Sequence, residues 1–530
     1  MVKMYIQKIH KKTKKKTYTS VYLAENYREN GKVKHRLISN LSKWPDELIE
    51  NFRKLLKGEE ITTVEDLELS TGKSFGAIKV ISQIAKRLGI EQALGSTQQG
   101  KLALFQIAGR IITQGSRYYL ANSWANLQAI DEVFKIKSLT HKDLYENLNW
   151  LSENQNNIEQ KIFNYRNQHQ KINTIYLYDV TSSYLEGQKN ELAKYGYNRD
   201  KKIGKKQIVI GLLTDDKGYP ISVEVFDGNT NDTKTVSNQL AKLKENFGVE
   251  RVVFVGDKGM VKSGQIEEIT SDKFKWNYLT TITKEQIKNL IKQDVIQLDL
   301  FAEEIIEVKT EDNIRYILRR NPERAKALNE SRKSKIEKIK ELVSVQNTYL
   351  SEHPKAQGEV ALEKIKTKIA RLKLKNIIEP ILSEKTIHIN INEQAQDKAA
   401  ELDGCYVVKT DVPSDELDTQ KAHDRYKDLA KVEFAFRTMK TTLEDIRPVF
   451  VRKEENTRGH VFVVMLAYMI VKYITDALSA ESFTRKYIFE SLDKINYLQY
   501  THEGKQINIV PEKLLPDQQK IIEALKIKLK

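Results

Sequence analysis

For its centre, this sequence predicts an α/β fold built on a mixed five-stranded sheet, and three observations carry that prediction. The hydrophobic period changes from helical to extended at Thr174, where Ile175-Tyr176-Leu177-Tyr178-Asp179-Val180-Thr181-Ser182 opens a β-branched, apolar run. Two further extended runs, 207–213 and 221–226, are joined by the turn Asp215-Asp216-Lys217-Gly218, which makes them an antiparallel hairpin. An amphipathic helix over 235–247, with Val236, Leu240, Leu243 and Phe247 on one face, precedes the wholly apolar strand 252–255. A crossover helix of this kind favours parallel pairing.

Taken in order, residues 1–70 form a basic β/α segment with short strands over 4–10 and 18–24. The run Lys11, Lys12, Lys14, Lys15 and Lys16 between them suits either a phosphate-touching hairpin tip or a solvated loop. Residues 71–170 are helical: Ile78, Ile81, Ile84, Ala85 and Leu88 recur at three and four spacings and stop at Gly89. Further helices are predicted over 102–113, 118–134 and 141–165. The sheet follows, with a fifth strand over 276–282.

The helix needed after that strand is delayed by a mixed α+β insertion, 285–420. It holds a hairpin over 305–320 and an antiparallel helical hairpin within 322–378, its narrow stripes formed by Ile336, Ile339 and Val343 and by Leu362, Ile365, Ile369 and Leu372. Strands over 386–391 and 405–409 are expected to return the chain to the core, which is 171–284 joined to 421–478. Residues 479–530, with Tyr487, Ile488, Leu492, Ile495 and Leu498, read as a helical segment suited to dimerisation.

Composition narrows the partner. There are 88 Lys+Arg against 72 Asp+Glu, a formal charge of +16, which favours a polyanion and above all nucleic acid. The single cysteine, Cys405, can form no internal disulfide and implies no oxidising compartment. The basic N-terminus lacks the apolar stretch of a signal peptide, and the longest apolar run, 461–471, is shorter than the 18 to 20 residues or so that a bilayer requires. No membrane partner and a cytoplasmic location are the expectations.

Asp179 stands where an aliphatic side chain would bury more comfortably, so it needs a partner or a metal. If the fourth strand lies parallel to the first, Asp257, in Gly256-Asp257-Lys258-Gly259, comes beside it. Three strands, helix, strand, helix, strand, with one acid in the first strand and another just after the fourth, is the ribonuclease H-like arrangement. A third acid, Glu433, lies on a helix predicted over 423–446, where Tyr426, Leu429, Glu433, Phe436 or Arg437, and Lys440 trace one face. From Glu433 to Lys440 is about 10 Å along that helix. That reach suits a cation on a neighbouring phosphate, while a plain Glu433–Arg437 helical ion pair is the simpler alternative.

These residues resemble the DDE transposases of bacterial insertion sequences, in the IS-four-like branch marked by Tyr-x2-Arg-x3-Glu-x6-Lys. Tyr426, Glu433 and Lys440 match at those spacings, whereas Leu429 stands at the arginine position, so the phosphate contact made there depends on Arg437 replacing it. The resemblance also takes in Asp179-Val180-Thr181-Ser182 and Gly228-Asn229-Thr230-Asn231-Asp232, and runs from about 174 to 475. It implies catalysis by Asp179, Asp257 and Glu433 holding two divalent cations, Mg²⁺ or Mn²⁺, with DNA contacts from Tyr426, Arg437 and Lys440. It further implies cleavage at terminal inverted repeats, strand transfer of the freed 3′-hydroxyl into target double-stranded DNA, DNA-end binding by 71–170, a homodimer in the synaptic complex and a bacterial, nucleoid-associated location. A ribonuclease H-like nuclease or resolvase, or a DNA-binding protein with a decayed site, are the alternatives. Among the other acids, Asp215 and Asp216 read as turn residues, and Asp200 and Asp232 as candidates for supporting roles.

Overall fold

The computed structural model describes residues 3–12, 17–59, 68–170, 174–441, 450–502 and 505–529. They divide into two compact units, one made of the described residues within 1–73 and 496–513, the other of those within 74–495 and 514–529.

In the first unit β1 (Lys3–Lys12), β2 (Thr17–Glu29) and β3 (Lys32–Asn40) make an antiparallel sheet in that order, followed by α1 (Asp46–Leu56). β4 (Glu68–Ser74) belongs to a second small sheet with two strands from the far end of the chain, β15 (Asn496–His502) and β16 (Lys505–Ile509). Leu498, predicted within a helix, thus lies in a strand, and Ile495 stands between that strand and a helix that ends at Asp493. The alternation Tyr497, Gln499, Thr501 against Leu498, Tyr500 has the period of two that fits the strand.

The second unit begins with α2 (Gly76–Arg87), α3 (Ile90–Leu94) and α4 (Gln98–Ile112). The predicted helix over 118–134 is broken into α5 (Arg117–Tyr119), a π-helical turn (Leu120–Trp124), α6 (Ala125–Leu127) and α7 (Ile130–Val133), and α8 (His141–Gln170) follows. These helices are not a domain apart. In α8, Glu159 meets Lys242 at 2.7 Å, Arg166 meets Asp215 at 2.7 Å, and Gln155 donates to the Val223 carbonyl at 2.6 Å, so one face is bonded to the sheet and its helices.

The sheet has eight strands rather than the predicted five. β5 (Ile175–Tyr184), β6 (Gln207–Asp215) and β7 (Pro220–Phe226) run as an antiparallel meander; α9 (Asp232–Glu245) then leads to β8 (Val253–Val255), parallel to β5, and α10 (Ser263–Thr270) to β9 (Asn277–Thr281), parallel to β8. Beyond α11 (Lys284–Lys292), the hairpin β10 (Ile306–Lys309) and β11 (Arg315–Arg320) lies in the same sheet, giving the order β10-β11-β14-β9-β8-β5-β6-β7 once β14 (Cys405–Thr410) returns. Part of the insertion therefore continues the central sheet, because β14 pairs antiparallel with the otherwise open edge of β9.

The rest of the insertion packs on itself. α12 (Pro322–Glu352) and α13 (Gly358–Arg371) form the expected helical hairpin around a core of Ile336, Ile339, Ile365 and Ile369. β13 (Thr386–Ile391), predicted to return to the core, instead pairs with β12 (Ile378–Ser383), and Ile378 and Ile387 of that pair enter the hairpin's own core. α14 (Glu393–Ala400) then leads to β14.

After β14 come α15 (Thr419–Lys427), α16 (Leu429–Thr441), α17 (Glu454–Ala477), α18 (Arg485–Asp493) and α19 (Pro516–Ala524). By length and composition α17 would cross a membrane, but most of it is buried against α8, α4 and β7. Its Gly459 marks the closest approach, since a Cβ there would stand 2.0 Å from the Leu148 carbonyl of α8.

The two faces of β5 divide the labour. Tyr176, Tyr178 and Val180 enter the large core beneath α9 and α10 with Val236, Leu240, Phe254 and Trp276. Gly211 is required there, because any Cβ would meet the Tyr178 hydroxyl at 2.2 Å. Asp179 and Thr181, at the alternate positions, project to the other face, against which α16 packs.

Candidate active site

The parallel register sets two acids level. Leu177 of β5 is paired with Val255 of β8. Two residues further along each chain stand Asp179 and Asp257. Asp179 is half-buried, with Oδ1 accepting from the Val180 N–H at 2.8 Å. Asp257 lies just beyond the strand end, and its Oδ1 accepts from the Gly259 and Met260 N–H groups at 2.9 and 3.0 Å. Those bonds fix the turn and leave Oδ2 outside them.

Glu433 comes from α16, exposed, and completes the set: Asp179, Asp257 and Glu433 line one cavity of about 430 Å³ together with Asp200, Arg437 and Lys440. Burial pushes the Asp179 carboxyl up to about 7; the Val180 N–H bond opposes this, Asp257 and Glu433 add repulsion, and Arg199 offsets part of it. Among the described residues, no three acidic, imidazole or thiol groups close on a common point as an ion's full ligand set would. The three acids line the cavity with hard oxygen donors, which suits divalent cations such as Mg²⁺ completed by water and substrate oxygens.

The helix predicted over 423–446 is in fact two, divided at Asp428, whose carboxylate accepts from Arg425 and Lys431 at 2.8 Å each; residues 442–446 lie outside the described ones. Tyr426, on α15, shares a 2.9 Å hydrogen bond with the Thr281 hydroxyl at the end of β9. Burial raises its phenol above the usual range, and Asp257, Glu433 and Asp179 contribute. Leu429 begins α16 with its side chain buried. Arg437 lines the cavity and stacks over Phe434 at 5.2 Å.

Lys440 also lines the cavity, but its ammonium is engaged within the protein. It donates to the Thr181 hydroxyl at 2.6 Å, to the Ser182 carbonyl, and to Asp200 Oδ1 at 3.2 Å, and so ties α16 to β5. Asp200 Oδ2 in turn accepts from the Tyr184 N–H at 3.3 Å. Spacing alone carries no signal for this contact across 240 residues of sequence. The nearby Arg199 is held by both oxygens of Asp232 at 2.6 Å. Asp215 does shape its turn, accepting from the Lys217 and Tyr219 N–H groups, and is also paired with Arg166. Trp276 is a core residue whose indole donates to the Glu250 carbonyl, and His460 is buried beside Arg117 at 3.0 Å.

The model of the transposase DDE domain matches residues 171–470, more than half of the chain, and that of the N-terminal domain of IS1634 family transposases matches 6–66. The chain belongs to the DDE transposases of insertion sequences. No curated protein matches this transposase significantly in sequence. Among solved structures the transposase is similar to a piggyBac transposase synaptic complex with hairpin DNA, at 9% identity over 78% of this chain and 76% of that one, with a TM-score of 0.35.

Proposed function

We propose that Asp179, Asp257 and Glu433 are the catalytic acids of this transposase, and that they hold two divalent cations, Mg²⁺ or Mn²⁺, on a ribonuclease H-like core formed by β9-β8-β5-β6-β7 and the helices on its faces. One observation carries the reading: the β5–β8 register and α16 bring three carboxylates to one cavity, where the most buried of them has two like charges as neighbours. A protein that needed Asp179 only for its fold would supply a cation for it. When bound, the ions neutralise charge growing on phosphorus and activate the attacking oxygen.

The chain's own groups prepare that chemistry. The Asp257 turn fixes one carboxylate, and the Lys440 contacts hold the strand of Asp179 against the helix of Glu433. Tyr426 joins α15 to the end of β9, and Arg437, at the cavity wall, is placed to meet a phosphate. At each terminal inverted repeat, water attacks phosphorus and a 3′-hydroxyl leaves. That hydroxyl then attacks a target phosphodiester, forming one P–O bond as another breaks. The substrate is double-stranded DNA, the active assembly a homodimer pairing two ends, and the setting the bacterial nucleoid in the cytoplasm. Tyr426, Glu433 and Lys440 at their spacings support the Tyr-Arg-Glu-Lys branch, with Leu429 as its departure.

The test is incubation of purified protein with Mg²⁺, a donor plasmid bearing the coding sequence with its flanks, and a target plasmid. Joined products are expected from the natural chain and none from Asp179→Asn, Asp257→Asn or Glu433→Gln. Release without joining leaves the nuclease reading; DNA binding with neither product leaves the decayed site that Leu429 favours.

A further inference from the structure

We infer that Phe434, Arg437 and Arg485 form a phosphate-gripping site for duplex DNA beside the catalytic cavity. This rests on the reading of that cavity as the place where DNA is cut. Phe434 follows Glu433 on α16 and leaves 43% of its surface exposed. Two guanidinium groups lie over its ring: Arg437 at 5.2 Å, from the next turn of the same helix, and Arg485 at 5.1 Å, from the first residue of α18.

A staple between α16 and α18 would account for Arg485, but not for Arg437, which shares a helix with Phe434 and gains no tertiary link from stacking on it. Nor does mutual attraction bring the arginines together, since like charges repel. Both lie within cation–π distance of the ring. Among the described residues no hydrogen bond or ion pair engages the Arg485 guanidinium, which carries five donors. Arg199, which also lines the cavity, is the contrast, being held bidentately by Asp232. A guanidinium presents five donors in a planar fork that matches the oxygens of a phosphate. Arg437 belongs to the cavity wall as well, so the site continues the path of a strand whose scissile phosphate lies at the acids. On a chain of charge +16 the fitting occupant is the DNA backbone.

Binding of the full chain to a linear duplex, followed by fluorescence anisotropy between 50 and 200 mM salt in a chelating buffer, tests the inference without any cleavage. Losing one phosphate contact lowers the slope of log K against log salt by about 0.9. Arg485→Ala and Arg485→Gln are expected to lower it by that amount and Arg485→Lys to leave it nearly unchanged. Phe434→Leu, which removes the stack while keeping an apolar side chain, should lower it through both arginines. A natural slope in Arg485→Ala, Arg485→Gln and Phe434→Leu overturns the site, whether or not their melting temperatures fall, since a mere helix staple predicts that result. The catalytic reading fails separately, through retained cleavage by Asp179→Asn, which these binding slopes do not report.

Discussion

Asp179 and Asp215 sit on adjacent strands of one sheet, facing Leu212 and Tyr176 respectively, and their surroundings are opposite. Asp215 is buried against Arg166 at 2.7 Å, with both side chains nearly inaccessible, and its Oδ1 takes two backbone N–H groups. Asp179 receives one backbone N–H and faces two further acids. The same sheet thus compensates one carboxylate from within the fold and leaves the other short of positive charge. On the proposed assignment, the difference separates an acid kept for structure from one kept for chemistry.

Exchanging their roles by mutation gives the largest effects. Asp179→Asn is expected to reduce joining to background in the plasmid assay while the protein melts as a native fold. Asp215→Ala does the reverse in kind: it strands the Arg166 charge in the interior and lowers unfolding free energy by about 3–5 kcal/mol, read by urea denaturation. Equal destabilisation by the two substitutions would erase the contrast.

The pH response sharpens it. Without metal, the Asp179 carboxyl stands at about 7 in the folded protein, raised above its unfolded value of about 3.9. Its contribution is complete below about pH 4 and is lost as pH rises through 7. The stability of Asp179→Asn relative to the natural chain should therefore grow over that range, by something on the order of 4 kcal/mol, and level off above it. Mg²⁺ at pH 8 should narrow the gap. A difference flat from pH 4 to 8 would mean that the carboxyl ionises freely.

A smaller effect is expected at Lys440. Lys440→Met leaves the buried Asp200 carboxylate without its ammonium and should cost on the order of 2 kcal/mol, with part recovered in the Lys440→Met, Asp200→Asn double variant. If stability holds and only the salt slope of DNA binding falls, Lys440 serves DNA rather than the fold.

Much of this was legible because it is local. The change of period at Thr174, the turn after residue 214 and the apolar strand before Gly256 are short-range patterns, and they locate five strands and two acids. Pairing is not local. Nothing in 306–309 or 315–320 says that these residues extend a sheet begun over 120 residues earlier, nor that 386–391 will prefer its neighbour at 378–383. The division at Asp428 escaped because no glycine or proline marks it; the signal was a carboxylate flanked by Arg425 and Lys431 at three spacings. Lys440 escaped for the converse reason: its spacing fits a phosphate contact, and only the fold brings Asp200 beneath it.

The insertion has a consequence in time. Asp179 and Asp257 are drawn level as soon as β8 lies beside β5, but Glu433 follows 254 residues after Asp179 (433 − 179), and α17, which covers the sheet, ends at Ala477. A chain growing from a ribosome at roughly 5–20 residues per second exposes two acids for many seconds before the third exists. On the proposed assignment of the three acids, it cannot cut DNA during that interval. On the same assignment, products of the message truncated before Glu433 are inert, and the capacity to break a chromosome comes only once most of the protein has been made.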